Sequence, residues 1–125
     1  MKLGFVKILL AIGAVTIFSQ FSVADPATAQ KAIANIVAGI NHFPSDAQKQ
    51  ELQAIANDET AGSSMQVIAS TVINIQHAAN AEGKAAMAQI IADGEAPDSA
   101  KALAKIVMAF NHMASAEAKE ILAAL

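Results

Sequence analysis

Four residue types on which many functional sites depend are missing: the 125 residues include no cysteine, tryptophan, tyrosine or arginine. Without cysteine, the chain can form neither disulfide bonds nor zinc–thiolate sites, and thiol catalysis is excluded. Nucleic-acid binding needs cationic side chains that neutralise phosphates, whereas here eleven acidic residues outnumber eight lysines. Apart from histidine, the only aromatic residues are five phenylalanines, so platforms for stacking bases or sugars are scarce.

Motifs of catalysis are also missing. The sequence contains no G-x-S-x-G, no H-E-x-x-H and no phosphate-binding loop. Its acidic residues are scattered over predicted loops and helix starts, and no pair stands out as a general acid and base. We therefore predict that the protein is not an enzyme.

The N-terminus has the layout of a secretory signal peptide. Two lysines accompany the start of an eleven-residue apolar stretch at 8–18, and small residues then occupy Ser22 and Ala24. This order predicts a signal peptide at residues 1–24, cleaved between Ala24 and Asp25. The apolar stretch is too short for a membrane anchor, which needs about 20 apolar residues.

Cleavage defines a mature chain at residues 25–125, which we predict to be a single domain. The net charge changes from −3 to −5, because the removed segment holds two lysines and no acid. A domain of this size can bury a hydrophobic core without disulfides. We expect a secreted or periplasmic protein that keeps no stable membrane anchor after cleavage.

Most of this mature chain repeats with a period of 35 residues. A fixed period of 20–50 residues is typical of arrayed supersecondary units, which must stack to bury their apolar faces. Histidines, lysines and apolar residues all recur in the same register. The recurring sets are His42, His77 and His112; Lys49, Lys84 and Lys119; and Ile55, Ile90 and Leu125.

Each copy has the periodicity of two α-helices. In the first copy, Ile33, Ile36 and Ile40 fall at positions i, i+3 and i+7 of one helix face, and a shorter helix follows. The other copies keep this pattern, with Thr71 as a weakened position. We predict an all-α fold of three tandem helical hairpins, about six helices, that stack as a small open solenoid or close into a globular bundle. The copies span approximately residues 28–57, 63–92 and 98–125.

Residues that can cap helix N-termini recur ahead of each predicted helix. Such side chains accept hydrogen bonds from free amides in the first turn. In the first copy, Gln48 also completes an S-x-x-Q capping box. The predicted caps are Thr28, Ser63 and Asp98 for the first helices, and Ser45, Asn80 and Ser115 for the second helices.

The three histidines have two interpretations. If the helical wheel continues to His42, its ring lies opposite the buried stripe in the last turn, where it can cap the helix C-terminus. Because packed helices lie about 8–10 Å apart, equivalent rings would be separated by about that distance. The alternative is one shared metal or ligand site at His42, His77 and His112. This alternative requires the array to curl tightly, because one ion holds its imidazoles at about 2.0–2.1 Å. Separate weak sites, or one anion bridging the row, need less curling.

Residues beside the histidines extend both interpretations. Met108 precedes His112 by four residues and is predicted to share its helix face, giving a thioether–imidazole pair that suits Cu(I) or haem iron. A polar residue directly precedes each histidine. It either satisfies carbonyls at the helix end or forms a polar strip along the histidines. These residues are Asn41, Gln76 and Asn111.

These observations predict an exported helical-repeat protein that works by binding and has no catalytic activity. Its expected partner is a protein or an envelope component, met on the extended surface that stacked helices provide. Open ends of the array would also allow oligomers. The alternative function is a small protein that binds Cu, another transition metal or haem through the repeated histidines. Under the first hypothesis no cofactor is expected.

Overall fold

Six α-helices and a 3₁₀ turn at Glu59–Ala61 form the part of the chain that the structure describes, residues 25–125 of a computed structural model. The predicted signal peptide, its cleavage site at Ala24 included, precedes the described residues. Residues 25–125 form no strand, and none of their helices is long and apolar enough to span a bilayer. The all-α prediction is confirmed. The helices are α1 (Pro26–Gly39), α2 (Asp46–Ala56), α3 (Ser63–Ile73), α4 (Ala81–Ala92), α5 (Asp98–Ala109) and α6 (Ala116–Ala124).

The second helix of each copy begins where the sequence predicts. In the first copy, Gln48 Oε1 accepts a hydrogen bond from the Ser45 amide at 2.8 Å, which completes the capping box. All three predicted caps accept from the amide three residues ahead. The distances are 3.2 Å from Gln48 to Ser45 Oγ, 2.7 Å from Gly83 to Asn80 Oδ1 and 3.0 Å from Ala118 to Ser115 Oγ.

The first helices do not use the predicted caps. α1 begins at Pro26, because the Asp25 carboxylate accepts the Thr28 amide at 2.7 Å and proline fits the first turn of a helix. This hydrogen bond lowers the pKa of the Asp25 carboxyl below its ordinary value. Thr28 therefore lies inside the first turn. In α3 and α5 the predicted caps, Ser63 and Asp98, are themselves the first helical residues, so these three predictions were wrong.

The helices pack most extensively in pairs that straddle the copy boundaries. The second helix of each copy lies against the first helix of the next, α2 on α3 and α4 on α5, and α6 returns to pack on α1. This last contact joins the third copy to the first. The three copies therefore form a compact closed bundle and not an open solenoid.

One apolar core fills the bundle. The predicted stripe of each first helix faces this core, and Ile33, Ile68 and Leu103 are all 0 % exposed at equivalent positions, while Ile106 is half-buried. Thr71, at the weakened position of the second copy, is also buried, and its hydroxyl donates to the Val67 carbonyl at 3.0 Å. The polar group is thereby satisfied within its own helix.

The second copy contains a close approach that the other copies lack. A Cβ added at Gly83, in the first turn of α4, would lie only 2.7 Å from Thr71 Cγ2 and 3.2 Å from Asn80 Oδ1. The equivalent residues of the other copies are Gln48 and Ala118. Glycine at this position therefore lets α4 approach α3 closely.

Candidate metal centre

The three histidines lie beyond the ends of the first helices, in the links to the second helices. α1 ends at Gly39, and Ile40 already has extended backbone angles, φ −68° and ψ 135°. His42 follows two residues later. The prediction that it occupies the last helical turn was wrong, because the helical wheel does not extend past Gly39. His77 and His112 likewise follow the last residues of α3 and α5 by three or four positions.

All three histidines have a left-handed backbone conformation. Their φ angles are 75°, 70° and 68° for His42, His77 and His112, and no other non-glycine residue among 25–125 has a positive φ. A side chain in this region costs roughly 1–2 kcal/mol, whereas glycine adopts it freely. Histidine is kept at all three positions where glycine would avoid the cost. Such local strain favours the hypothesis that the imidazoles have a function there.

Main-chain hydrogen bonds join the histidines into a ring. The His42 amide donates to the His112 carbonyl at 2.6 Å, the His77 amide to the His42 carbonyl at 2.6 Å, and the His112 amide to the His77 carbonyl at 2.5 Å. Each histidine thus donates once and accepts once. The ring connects all three copies through their backbones and fixes the origins of the three side chains next to one another.

The turn at His112 explains how the chain enters this ring. The Met113 amide donates to the Asn111 carbonyl at 2.7 Å, which closes a three-residue turn around His112. With a positive φ at its central residue, this is the rare and strained form of the γ-turn. Similar local bridges, Asn41 with Phe43 and Gln76 with Ala78, flank the other two histidines.

The three imidazole rings touch one another edge to face. Their centroids are 5.0 Å apart for His42 and His77, 5.1 Å for His42 and His112, and 5.0 Å for His77 and His112. The predicted separation of about a helix diameter was therefore wrong. It assumed neighbouring helices in a row, whereas closure of the bundle brings the three links together.

This cluster has the donor set of a transition-metal centre. The three residues offer ligand atoms that all lie within 4.8 Å of one another. On a tetrahedral ion with bonds of 2.0–2.1 Å, ligand nitrogens are about 3.3 Å apart, so the ligand atoms would have to move somewhat closer together to bind one ion. His77 and His112 are exposed and His42 is half-buried, which leaves a path for an ion from solvent. Imidazole donors suit Zn²⁺, Cu²⁺, Ni²⁺ and related ions.

One neighbouring amide orients a ring of the cluster. His112 Nδ1 lies 2.6 Å from Asn111 Oδ1. An amide oxygen only accepts hydrogen bonds, so this contact favours the tautomer in which Nδ1 carries the proton and Nε2 keeps the lone pair that a metal needs. Of the predicted polar strip, Asn111 is thus in contact with a histidine. Asn41 and Gln76 occupy the equivalent exposed positions before His42 and His77.

Met108 does not pair with His112 along a helix face. It lies in the last turn of α5, half-buried against the apolar core, and the helix ends at Ala109. The i,i+4 relationship that predicted a thioether–imidazole pair therefore does not apply. The burial of Met108 fits the common role of methionine as a filler of core gaps.

The sequence interpretation missed two residues beside the cluster. Phe43 and Lys49 line a groove together with His77, between the first and second copies. The sequence marks neither residue as part of a site, because Phe43 is one of five phenylalanines and Lys49 one of three repeated lysines. The available signal was the position of Phe43, directly after a histidine, where the other copies have Ala78 and Met113.

Comparisons with family models, with curated proteins and with solved structures find no match to this chain. The geometry of the cluster is therefore the basis for a functional proposal.

Proposed function

We propose that the protein is a small helical metal-binding protein that holds one late transition-metal ion between His42, His77 and His112. The observation that carries this proposal is the convergence of three imidazoles, 35 residues apart in sequence, on one point with ligand atoms within 4.8 Å. The ion would have three protein ligands and one open position, the arrangement of many zinc sites that bind a further ligand.

Two features support a metal rather than a purely structural cluster. Each histidine has a backbone conformation that glycine would adopt at lower cost, so a structural turn does not need the imidazole. In the tautomer in which His112 Nδ1 donates to Asn111 Oδ1, Nε2 is the available ligand atom.

A bare ion fits the cluster better than haem. The rings are in mutual edge contact at about 5 Å between centroids, so a porphyrin has no space between them. Met108, the other residue of the haem hypothesis, packs against the core. Among metal ions, the all-imidazole donor set favours Zn²⁺ or Cu²⁺ over Mg²⁺ and Ca²⁺, which prefer oxygen ligands.

Metal titration of the untagged protein tests this function. We expect one Zn²⁺ or Co²⁺ per chain in calorimetry, with a Kd tighter than about 100 μM. His77→Asn should abolish this binding, and it is a matched variant because asparagine also tolerates the left-handed conformation. Asn74→Ala, which changes an exposed residue nearby, should bind as the wild type does. Equal binding by wild type and His77→Asn would contradict the proposal.

A second candidate function is protein binding, favoured by two exposed apolar side chains beside the cluster. Phe43 is 57 % exposed and Met113 is 49 % exposed, and they occupy equivalent positions after two of the histidines. Aromatic residues and methionine are enriched in interfaces. Under this hypothesis a protein or envelope component binds over the cluster of three histidines, without catalysis. Capture of one defined partner by the wild type, lost in Phe43→Ser/Met113→Ser, would support it, whereas equal capture by both would refute it.

Both functions are proposed for a secreted or periplasmic protein. The support is the order of basic, apolar and small residues in the sequence before Asp25. N-terminal sequencing of the protein recovered from periplasm or medium should begin at Asp25. Recovery from the cytoplasm with Met1 retained would contradict export.

A further inference from the structure

A groove of about 530 Å³ opens beside the histidine cluster, between the first and second copies. Its lining includes His77, the ammonium-bearing Lys49, the exposed ring of Phe43 and the half-buried Ile73. Two other concavities of the described residues, about 390 and 290 Å³, are lined by no histidine. This groove thus combines a ligand of the proposed metal, a cation and apolar surface.

The other copy junctions do not repeat this combination. Lys49 has equivalents in Lys84 and Lys119, so a cation follows each histidine at the same distance in sequence. The aromatic ring of Phe43 is replaced by the methyl group of Ala78 and by the thioether of Met113. The first junction alone therefore offers a flat apolar wall together with the lysine.

The chemistry of the groove defines the kind of ligand that it would take. An ion held by three imidazoles has an open coordination position, which carboxylate oxygens can fill at about 2.0–2.2 Å. A ligand that approaches from the side of His77 lies beside Lys49, whose positive charge complements a carboxylate. The rest of such a ligand would lie against the exposed ring of Phe43 and the half-buried Ile73, which favour an apolar body. The volume is within the usual range for sites of small molecules.

We infer that the groove binds a small monocarboxylate with an apolar or aromatic body, whose carboxylate completes the coordination of the metal. This inference rests on the proposed metal site. It assigns to Lys49 the neutralisation of the ligand's charge and to Phe43 the contact with its apolar body. Neither residue contributes a ligand to the metal.

The test uses Co²⁺ as a spectroscopic probe and benzoate as the carboxylate. The whole protein is loaded with Co²⁺, and benzoate is titrated while the visible absorption of the ion is recorded. We expect a saturable spectral change that the neutral isostere benzamide does not produce. Acetate, which lacks the apolar body, should bind at least about fivefold more weakly, because it loses the contact with Phe43 and Ile73.

Matched variants separate this groove from non-specific binding. Lys49→Gln and Phe43→Ala should each weaken benzoate binding about fivefold or more, whereas the equivalent variants Lys84→Gln and Met113→Ala should change it less than twofold. All four changed residues are exposed, so the fold should be retained, which circular dichroism verifies. Bound Co²⁺ with no response to benzoate, or equal weakening by Lys49→Gln and Lys84→Gln, would overturn the groove proposal alone. Failure of Co²⁺ to bind would instead overturn the metal site.

Discussion

The helices of the bundle place apolar side chains where helix geometry favours them, whereas the histidine ring holds residues in a conformation that their side chains disfavour. Ile33, Ile68 and Leu103 repeat one stripe and are all fully buried. His42, His77 and His112 repeat one turn with φ near 70°. The same 35-residue repeat thus produces both a favourable apolar core and a strained histidine cluster.

This difference explains how the strained histidine cluster can persist in the folded protein. Burial of one large apolar side chain contributes about 1.5–3 kcal/mol, which offsets the roughly 1–2 kcal/mol cost of one left-handed residue. The strained turns are also fixed from both sides, by the first helix that precedes each and by the capped second helix that follows it. Strained residues remain in folded proteins where the surroundings determine their conformation in this way.

The largest effect should follow from a substitution in the apolar core. Leu103→Ala removes a side chain that is 0 % exposed in α5 and should reduce the free energy of unfolding by about 2–5 kcal/mol. Ile121→Ala, at a residue that is 45 % exposed in α6, is the control and should cost less than about 1 kcal/mol. Urea denaturation measures both. Equal effects would mean that the core is not packed around Leu103.

Metal bound at the histidine cluster should stabilise the folded bundle. If the folded protein binds the ion and the unfolded chain does not, a free metal concentration of 100 times Kd adds about 2.7 kcal/mol. For a domain of this size, such a gain raises Tm by roughly 10 °C. The increment should disappear in His77→Asn and remain in Ile121→Ala. A Tm that is insensitive to saturating Zn²⁺ in the wild type would show that no folded-state site exists.

The sequence was sufficient to predict the helices and their apolar core, because helices depend on local signals. The apolar period, the caps at Ser45, Asn80 and Ser115 and the capping box with Gln48 act over three to seven residues, and all appear in the structure. The start of α1 was missed because two signals competed. Thr28 and Asp25 can both cap a helix, and Pro26 decides in favour of the earlier start.

The histidine cluster could not be predicted in the same way, because it depends on closure of the whole array. Contact between α6 and α1 and the hydrogen bond from His42 to His112 join residues 70 or more positions apart in sequence. No local pattern reports such contacts. One local signal was available: Pro44 follows His42 by two residues, and proline is common shortly after a helix end. It indicates that α1 ends close to the histidine and does not continue through Pro44.

A smaller effect should come from the close approach in the second copy. Alanine normally favours helices over glycine by about 1 kcal/mol. At Gly83, however, the added methyl group would lie 2.7 Å from Thr71 Cγ2, and such overpacking typically costs about 1–3 kcal/mol. We expect Gly83→Ala to destabilise the protein by about 1 kcal/mol in urea denaturation, and Gly83→Ala/Thr71→Ser, which removes the methyl group in contact, to recover part of the loss. Stabilisation by Gly83→Ala alone would contradict the close packing of α3 and α4.

The last effect tests the backbone strain of the histidine cluster. It compares two substitutions at one position in the absence of metal. His77 has φ 70°, so His77→Gly should be more stable than His77→Ala by about 1 kcal/mol, since only alanine keeps a Cβ in the left-handed region. The neighbouring Ala78 has no positive φ, and there the order should reverse, with Ala78→Gly less stable than the wild type by about 0.5–1 kcal/mol. Urea denaturation in the presence of a chelator measures these differences. If His77→Ala proved as stable as His77→Gly, the backbone at the histidine cluster would be relaxed. Backbone strain would then no longer favour a ligand-binding function for the imidazoles.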